Sequence, residues 1–147
     1  MYHRILVATD GSDLSEKAVV AAVDLAALCK AELVALKVVP RYPQSYFEGG
    51  IALEPDEVRR VEKQWADEGQ AIVDAVQKLG QTNGVTTQAI TVQADVVSQA
   101  ILESAKTYAC DLIVMASHGR KGITRLLLGS ETQHVLTHSP VPVLMLK

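Results

Sequence analysis

The stretch LIVMASHGRKGITRLLLGSETQ, residues 112–133, decides the fold of this chain. Its first five residues, 112–116, are continuously apolar, which predicts a short strand buried on both faces. Residues 117–119 break the strand, a basic turn follows at 120–122, and a small-residue pair at 129–130 opens a polar, helix-like segment. This order of strand, basic loop and helix N-terminus suits an anion, because glycine admits close approach and a helix N-terminus presents free N–H groups.

The pair Gly129-Ser130 has two interpretations. In the first, its backbone forms an anion cradle, to which Arg120, Lys121 and Arg125 add positive charge. In the second, Gly129-Ser130 is an ordinary helix N-cap and the basic loop is a solvated turn. The stretch alone leaves both open, because a helix N-terminus is only a potential anion site.

Composition narrows the class of protein. A chain of 147 residues with 48% hydrophobic residues predicts one domain, residues 1–147, with a real core. The net charge of −3 disfavours a nucleic-acid surface, which needs a basic field. Neither a signal peptide nor a run near the roughly 18 apolar residues of a membrane span is present, so we expect a cytoplasmic protein with no membrane partner.

Cys29 and Cys110 form no CxxC motif and are predicted to be buried free thiols.

Strand-like and helix-like patterns alternate along the whole chain. The predicted strands are residues 4–9, 32–39, 85–92, 112–116 and 141–146, and the predicted helices are residues 13–29, 56–79, 97–108 and 130–138. Such alternation is typical of the α/β class. We therefore predict a single doubly wound domain, with a five-stranded parallel sheet and helices on both faces.

Three boundaries depend on particular residues. Asp13, with Glu16 three positions later, predicts the cap of the first helix. Gly80 and Asn83-Gly84 predict the stop of the second helix. The long connection 40–55 has no periodicity, and its Tyr42 is expected to pack on the protein surface rather than to cover a ligand.

The loops after the first and fourth strands are the expected ligand site. If these two strands are neighbours, Asp10 meets the segment 116–119, with Gly129-Ser130 beside it. Asp10 suits hydroxyl or amino donors and the cradle suits phosphates, and a nucleotide carries both. The sequence has neither GxGxxG after the first strand nor GxxxxGK[ST], so the dinucleotide fold and the P-loop are disfavoured.

The chain resembles the universal stress protein family over essentially its whole length. The family signature G-x2-G-x9-G-[ST] reads here as Ala116-x2-Gly119-x9-Gly129-Ser130, with alanine in place of the first glycine. The segments ILVATDGS, residues 5–12, and SPVPVLML, residues 139–146, are similar to the family's first and last strands. Alanine at 116 costs little where φ is negative, and about 1 kcal/mol where φ is positive.

The resemblance implies a ligand and its contacts. It implies binding of ATP or AMP, with or without Mg²⁺, and it places Asp10 and the backbone near Val38 at the adenosine end. It places Gly119, Gly129 and Ser130 at the phosphates. The full set of predicted nucleotide-binding residues is Ala8, Asp10, Val38, Ala116, Gly119, Arg120, Gly129 and Ser130.

The function predicted from these features is that of a regulatory stress-response module, and no catalytic or metal-binding residue is assigned. One alternative is a slow ATP hydrolase or phosphotransfer enzyme, for which His118 is the candidate base. Another is an interaction protein that needs no ligand.

His134 and His138 are predicted to be surface or packing residues. The apolar last strand, 141–146, predicts a homodimer paired through an exposed sheet edge, while the regulatory protein partner is unknown.

Overall fold

The computed structural model describes residues 1–43, 54–118 and 128–147. The elements in chain order are β1 (Arg4–Ala8), α1 (Asp13–Cys29), β2 (Glu32–Val39), α2 (Pro55–Thr82), β3 (Thr87–Gln93), α3 (Val97–Thr107), β4 (Leu112–Ala116), α4 (Ser130–His138) and β5 (Val143–Leu146). All five strands pair in parallel, in the order β3-β2-β1-β4-β5. The predicted α/β fold with a five-stranded parallel sheet is confirmed.

Two hydrophobic cores cover the two faces of the sheet. Ile5 and Val7 of β1 face one core, which α1 and α2 close with residues such as Val73. Leu6, between them in sequence, faces the other core, which α3 and α4 close with residues such as Ile101. Successive side chains of a strand point to opposite faces, so an uninterrupted apolar strand can serve both cores at once. Helices therefore cover both faces, as the sequence predicts.

The centre of the sheet is β1, with β2 on one side and β4 on the other. Leu6 stands opposite Val34 of β2 and Ile113 of β4. The chain builds β2 and β3 outward from β1, and α3 then returns it to the other side for β4 and β5. The predicted β1–β4 pairing is confirmed, and the strand order reverses between these two strands. The connections after β1 and β4 lead to helices on opposite faces of the sheet. They therefore leave a crevice between them at the carboxyl ends of these two strands.

The second helix does not stop at Gly80, the first of its two predicted stop signals, but ends directly before the second, Asn83-Gly84. It continues to Thr82, and Gly84, with φ of 74°, ends the turn that follows. A Cβ at position 80 would overlap Oγ1 of Thr87, so glycine is required there by the contact between α2 and β3. The N–H of Val85 donates to the Gly80 carbonyl at 2.8 Å, and β3 accordingly begins at Thr87 rather than at residue 85.

Two other predicted boundaries also shift. The cap of α1 is Ser12, not Asp13: the Ser12 backbone is extended, and its Oγ accepts from the Ser15 N–H at 3.3 Å. The last strand begins at Val143 rather than at residue 141. The Ser139 hydroxyl binds both the N–H and the carbonyl of Val141, which holds that residue in a turn.

The two cysteines differ in burial. Cys110 is buried, as predicted, and desolvation raises the pKa of its thiol to about 11. Cys29 is only partly buried, and its Sγ lies 4.0 Å from Sδ of Met1, so the prediction of a buried thiol is wrong for this residue. No helix in the described ranges is long and apolar enough to cross a membrane.

Candidate functional site

A cleft of about 730 Å³ lies at the carboxyl edge of the sheet, where the strand order reverses. Six of the eight predicted binding residues line it: Ala8, Asp10, Val38, Ala116, Gly129 and Ser130. Gly119 and Arg120 lie outside the described residues. The fold thus brings together positions from β1, β2, β4 and the start of α4, which are far apart in the chain.

The turn after β1 fixes Asp10 at the cleft. Its Oδ1 accepts from the Ser12 N–H at 2.9 Å, and Gly11, with φ of 79°, completes the turn. The Thr9 hydroxyl is 3.0 Å from that of Ser15 and accepts from the Gly11 N–H at 3.2 Å. Short side-chain to backbone bonds of this kind hold a turn rigid. Asp10 therefore presents its carboxylate from a defined position.

The end of β2 directs a peptide edge into the cleft. The carbonyl of Leu36 accepts from the Thr9 N–H, on the β1 side, and that of Val39 accepts from the Ala94 N–H, on the β3 side. Backbone groups of successive strand residues alternate between the two edges, so the N–H and carbonyl of Val38 face the β1 side. Because β1 ends at Ala8, these groups extend beyond the neighbouring strand into the cleft.

The start of α4 provides the opposite end of the cleft. Gly129 is the N-cap, and its N–H donates to the Ser117 carbonyl at 3.0 Å. The next three residues, 130–132, line the cleft, and the N–H groups of a first helical turn have no partner within the helix. An anion here would therefore meet the amides of 130–132, whereas the Gly129 amide is already used. The helix dipole adds positive potential at this point.

The fold itself does not require glycine at position 129. Its φ of −60° and ψ of 150° are open to any residue. A Cβ there would lie 3.6 Å from the Ser117 oxygen and 3.8 Å from His118 Cα, which are ordinary contact distances. Gly129 lines the cleft, and glycine places no side chain at this helix start.

Alanine at position 116 fits without strain. Ala116 is the last residue of β4 and pairs with Leu146. Among the residues that the structure describes, the only non-glycine positions with positive φ are Lys30 and Ala109. The departure from the family's first glycine therefore costs little backbone energy.

One wall of the cleft comes from α2, which the sequence did not place at the site. Trp65, Gly69 and Ile72 follow at helical spacing and line the cleft, and Trp65 stacks on Tyr42 with ring centroids 6.1 Å apart. A Cβ at Gly69 would lie 2.9 Å from Cγ2 of Val39, so glycine lets α2 approach β2 closely. The sequence feature that could have indicated this close approach is a glycine on the apolar face of the second helix.

A second unpredicted feature joins the starts of α3 and α4. Glu131 Oε2 accepts from the Ser98 N–H at 2.6 Å and caps α3, whose own N-cap residue, Val96, has no capping side chain. Asp95, in the turn before α3, pairs with Arg41 at 3.1 Å. These contacts hold the segment after β2 and both helix starts around the cleft.

The histidines do not assemble a metal centre. His134 and His138 are exposed on α4, with their rings stacked 4.1 Å apart, in agreement with the prediction of surface residues. His118 lines the cleft beside the start of α4. In the part of the chain that the structure describes, no three His, Cys, Asp or Glu residues are grouped so as to hold a metal ion, and the Mg²⁺ prediction gains no support.

The site thus combines a peptide edge at one end of the cleft with a helix N-terminus at the other, in a doubly wound α/β domain. The profile of the universal stress protein family matches residues 1–147, and the chain belongs to this family. It is 33% identical to universal stress protein MJ0531 of Methanocaldococcus jannaschii, over 100% of this chain and 83% of that one.

Solved structures agree with this assignment. UspA from Lactobacillus plantarum superposes with a TM-score of 0.81 at 25% identity, covering 99% of this chain and 98% of that one. A universal stress protein solved in complex with cAMP superposes with a TM-score of 0.72 at 27% identity, covering 99% and 97%. The chain is thus similar over nearly its full length to a protein that binds an adenine nucleotide.

Proposed function

We propose that this protein binds an adenine nucleotide, ATP or AMP, as the regulatory signal of a stress-response module. The observation that carries the proposal is the open helix start at Gly129, where neither backbone conformation nor packing requires glycine. A phosphate approaching the first-turn amides of α4 would need that space. The similar protein in complex with cAMP supports the choice of an adenine nucleotide.

The two ends of the cleft suit the two ends of such a ligand. The amides of residues 130–132 would hold phosphate oxygens, and the peptide edge of Val38 would face the base. Asp10, fixed by Ser12, would accept from a ribose hydroxyl or an amino group. Ala8 and Ala116 line the floor as small side chains that leave room for the ligand. Gly119 and Arg120 stay predicted phosphate contacts.

The test is the variant Gly129→Val with AMP, measured by isothermal titration calorimetry. Blocking the approach to the amides should remove hydrogen bonds worth about 2–3 kcal/mol and weaken binding roughly 30- to 150-fold. The matched control is Gly84→Val, a glycine with φ of +74° and nothing within 4 Å of its Cβ position. The control should lose stability and keep its affinity. Unchanged affinity in Gly129→Val would place the ligand elsewhere.

We propose further that the module binds ATP without turning it over usefully. Hydrogen bonds from helix amides stabilise ground state and transition state alike, so binding of this kind need not accelerate hydrolysis. Phosphate release with ATP and magnesium should stay well below about 1 s⁻¹. Faster release that is abolished in His118→Ala, with the base candidate removed, would instead establish the ATP hydrolase.

The proposed assembly is a homodimer through β5. This strand pairs with β4 on one side and lies at one end of the sheet order, and Leu144 on it is 41% exposed. An apolar edge strand invites pairing with a second copy, and a two-fold axis closes the assembly at two chains. Leu144→Lys should give monomers in sedimentation velocity, whereas Leu28→Lys, which alters an exposed leucine of α1, should not. A monomeric parent at micromolar concentration would refute the dimer.

A further inference from the structure

The base end of the cleft contains a lysine whose position bears on which base is accepted. Lys37 of β2 lines the cleft, and its Nζ donates to the carbonyl of Val38 at 2.9 Å. That carbonyl belongs to the peptide edge which extends past the end of β1. An ammonium group is therefore placed beside the backbone groups that would recognise a heterocycle.

The stem of Lys37 is held in place by α2. Its Cγ would lie 3.2 Å from a Cβ at Gly69, so the aliphatic chain runs directly under the helix at a position without a side chain. From there the chain bends back to the carbonyl of the adjacent residue, Val38. The side chain is half-buried, which makes its location a product of packing rather than of solvent averaging.

The chemistry of the purine 6-position decides how this ammonium acts. An ammonium group has three donors and no acceptor. The 6-amino group of adenine is itself a donor and competes with Lys37 for the Val38 carbonyl. The 6-oxo group of hypoxanthine or guanine is an acceptor and can take a hydrogen bond from Nζ directly. Donor beside donor is unfavourable and donor beside acceptor is favourable, so the lysine shifts the balance between the two classes of base.

Resting on the proposed nucleotide binding, we propose that Lys37 sets the base preference of the cleft, opening it to 6-oxopurine nucleotides beside 6-aminopurine ones. In this role Lys37 determines specificity at the base, while the amides of residues 130–132 provide affinity for the phosphate. A lysine that only packs under α2, or only balances the charge of Glu68 on the same wall, would leave the base preference unaffected.

The experiment compares AMP with IMP, which differ in the purine 6-substituent and the N1 proton that accompanies it. The variant is Lys37→Met, which keeps an unbranched stem under Gly69 and removes the ammonium. The ratio of the two dissociation constants should shift about 10-fold toward AMP relative to the parent, the effect of one hydrogen bond. Lys37→Arg keeps donors and should keep the parent ratio. Lys17→Met, on the exposed face of α1, controls for loss of one charge.

Binding of ribose 5-phosphate separates the base from the phosphate and should be equal in the parent and in Lys37→Met. A ratio that shifts less than about 3-fold, or shifts toward IMP, overturns the role of Lys37 even when both nucleotides bind. If the parent binds neither AMP nor IMP, the nucleotide proposal fails first, so the two failures are distinguishable. Thermal unfolding of each variant confirms that the fold is retained.

Discussion

Polar groups at the amino end of the sheet are paired within the chain, whereas several at the carboxyl end face the cleft. At the amino end, Arg4 donates to Glu32 Oε2 through Nε at 2.9 Å and Nη2 at 2.6 Å, and to the Tyr108 carbonyl at 2.8 Å. Asp111 accepts from the backbone N–H groups of His3 and Arg4. At the carboxyl end, the peptide edge at the end of β2 and the first turn of α4 face the cleft.

The comparison separates residues that maintain the fold from residues that are available to a ligand. A paired group at the amino end contributes to folding, because removing it leaves its partner without a hydrogen bond. A backbone group that faces the cleft contributes little to folding and can be satisfied by a ligand. Substitutions at the amino end of the sheet should therefore change stability alone, and substitutions at the carboxyl end should change ligand affinity alone.

Valine at Gly80, which packing requires, and at Gly129, which packing does not, is the strongest test of this separation. Gly80→Val introduces a side chain that overlaps Thr87 where α2 meets the start of β3. We expect the free energy of unfolding in urea to fall by about 2–3 kcal/mol, with AMP affinity unchanged in the folded protein. Gly129→Val, at the other end, should show the reverse. A loss of affinity in Gly80→Val larger than the loss of stability would break the comparison.

Trp65 offers a smaller effect at the carboxyl end. Replacing it by alanine removes part of the apolar wall and the ring that stacks on Tyr42, and should weaken AMP binding roughly 10-fold. Trp65→Phe keeps an aromatic ring and should retain most of the affinity. Since Trp65 is the only tryptophan of the chain, its fluorescence should change when AMP is added to the parent. Constant fluorescence at saturating AMP would show that the ligand does not reach this wall.

Asp111 gives the smallest effect, and it depends on pH. Partial burial alone would raise the pKa of this carboxyl, but hydrogen bonds from the His3 and Arg4 amides outweigh it and lower the pKa below the usual value. A lowered pKa stabilises the fold above the unfolded-state value near 3.8, and this contribution is lost as pH falls through the folded-state pKa.

Asp111→Ala should therefore cost about 1 kcal/mol at pH 7, because solvent screens this partly exposed carboxylate, and the difference from the parent should shrink as the pH falls below the pKa of the unfolded carboxyl. Urea denaturation at a series of pH values measures it. Asp24→Ala, an exposed aspartate of α1, should change stability by less than about 0.5 kcal/mol. A pH-independent cost at position 111 would show that the carboxylate charge is not involved.

Features encoded by local spacing could be predicted from the sequence. The helices and strands of the described residues and the β1–β4 pairing follow from apolar periodicity and from two small-residue loops, which is why Asp10 and Gly129-Ser130 were placed in one site. The predictions for Gly80 and Asp13 failed because the deciding contacts, to Thr87 and from Ser12, depend on the packed geometry or on a competing cap.

The contributions of α2 to the cleft could not be read from spacing alone. The spacing of Trp65 and Ile72 indicates an ordinary buried helix face. Only the approach of α2 to β2 at Gly69 brings these residues to the candidate ligand site. The position of Lys37 was also hidden, because it follows from a hydrogen bond to the neighbouring carbonyl. Sequence patterns identify the loops that define such a site more readily than the walls that complete it.

The burial of Cys110 also determines how the chain meets oxidants. Oxidation of cysteine proceeds through the thiolate, and a pKa of about 11 leaves only about one Cys110 thiol in ten thousand ionised at pH 7. Cys29, at the end of α1 beside Met1, is the more accessible sulfur. A chain from a stress-response family thus keeps one of its two thiols largely un-ionised at neutral pH, and Cys29 rather than Cys110 is the thiol at which oxidation would begin.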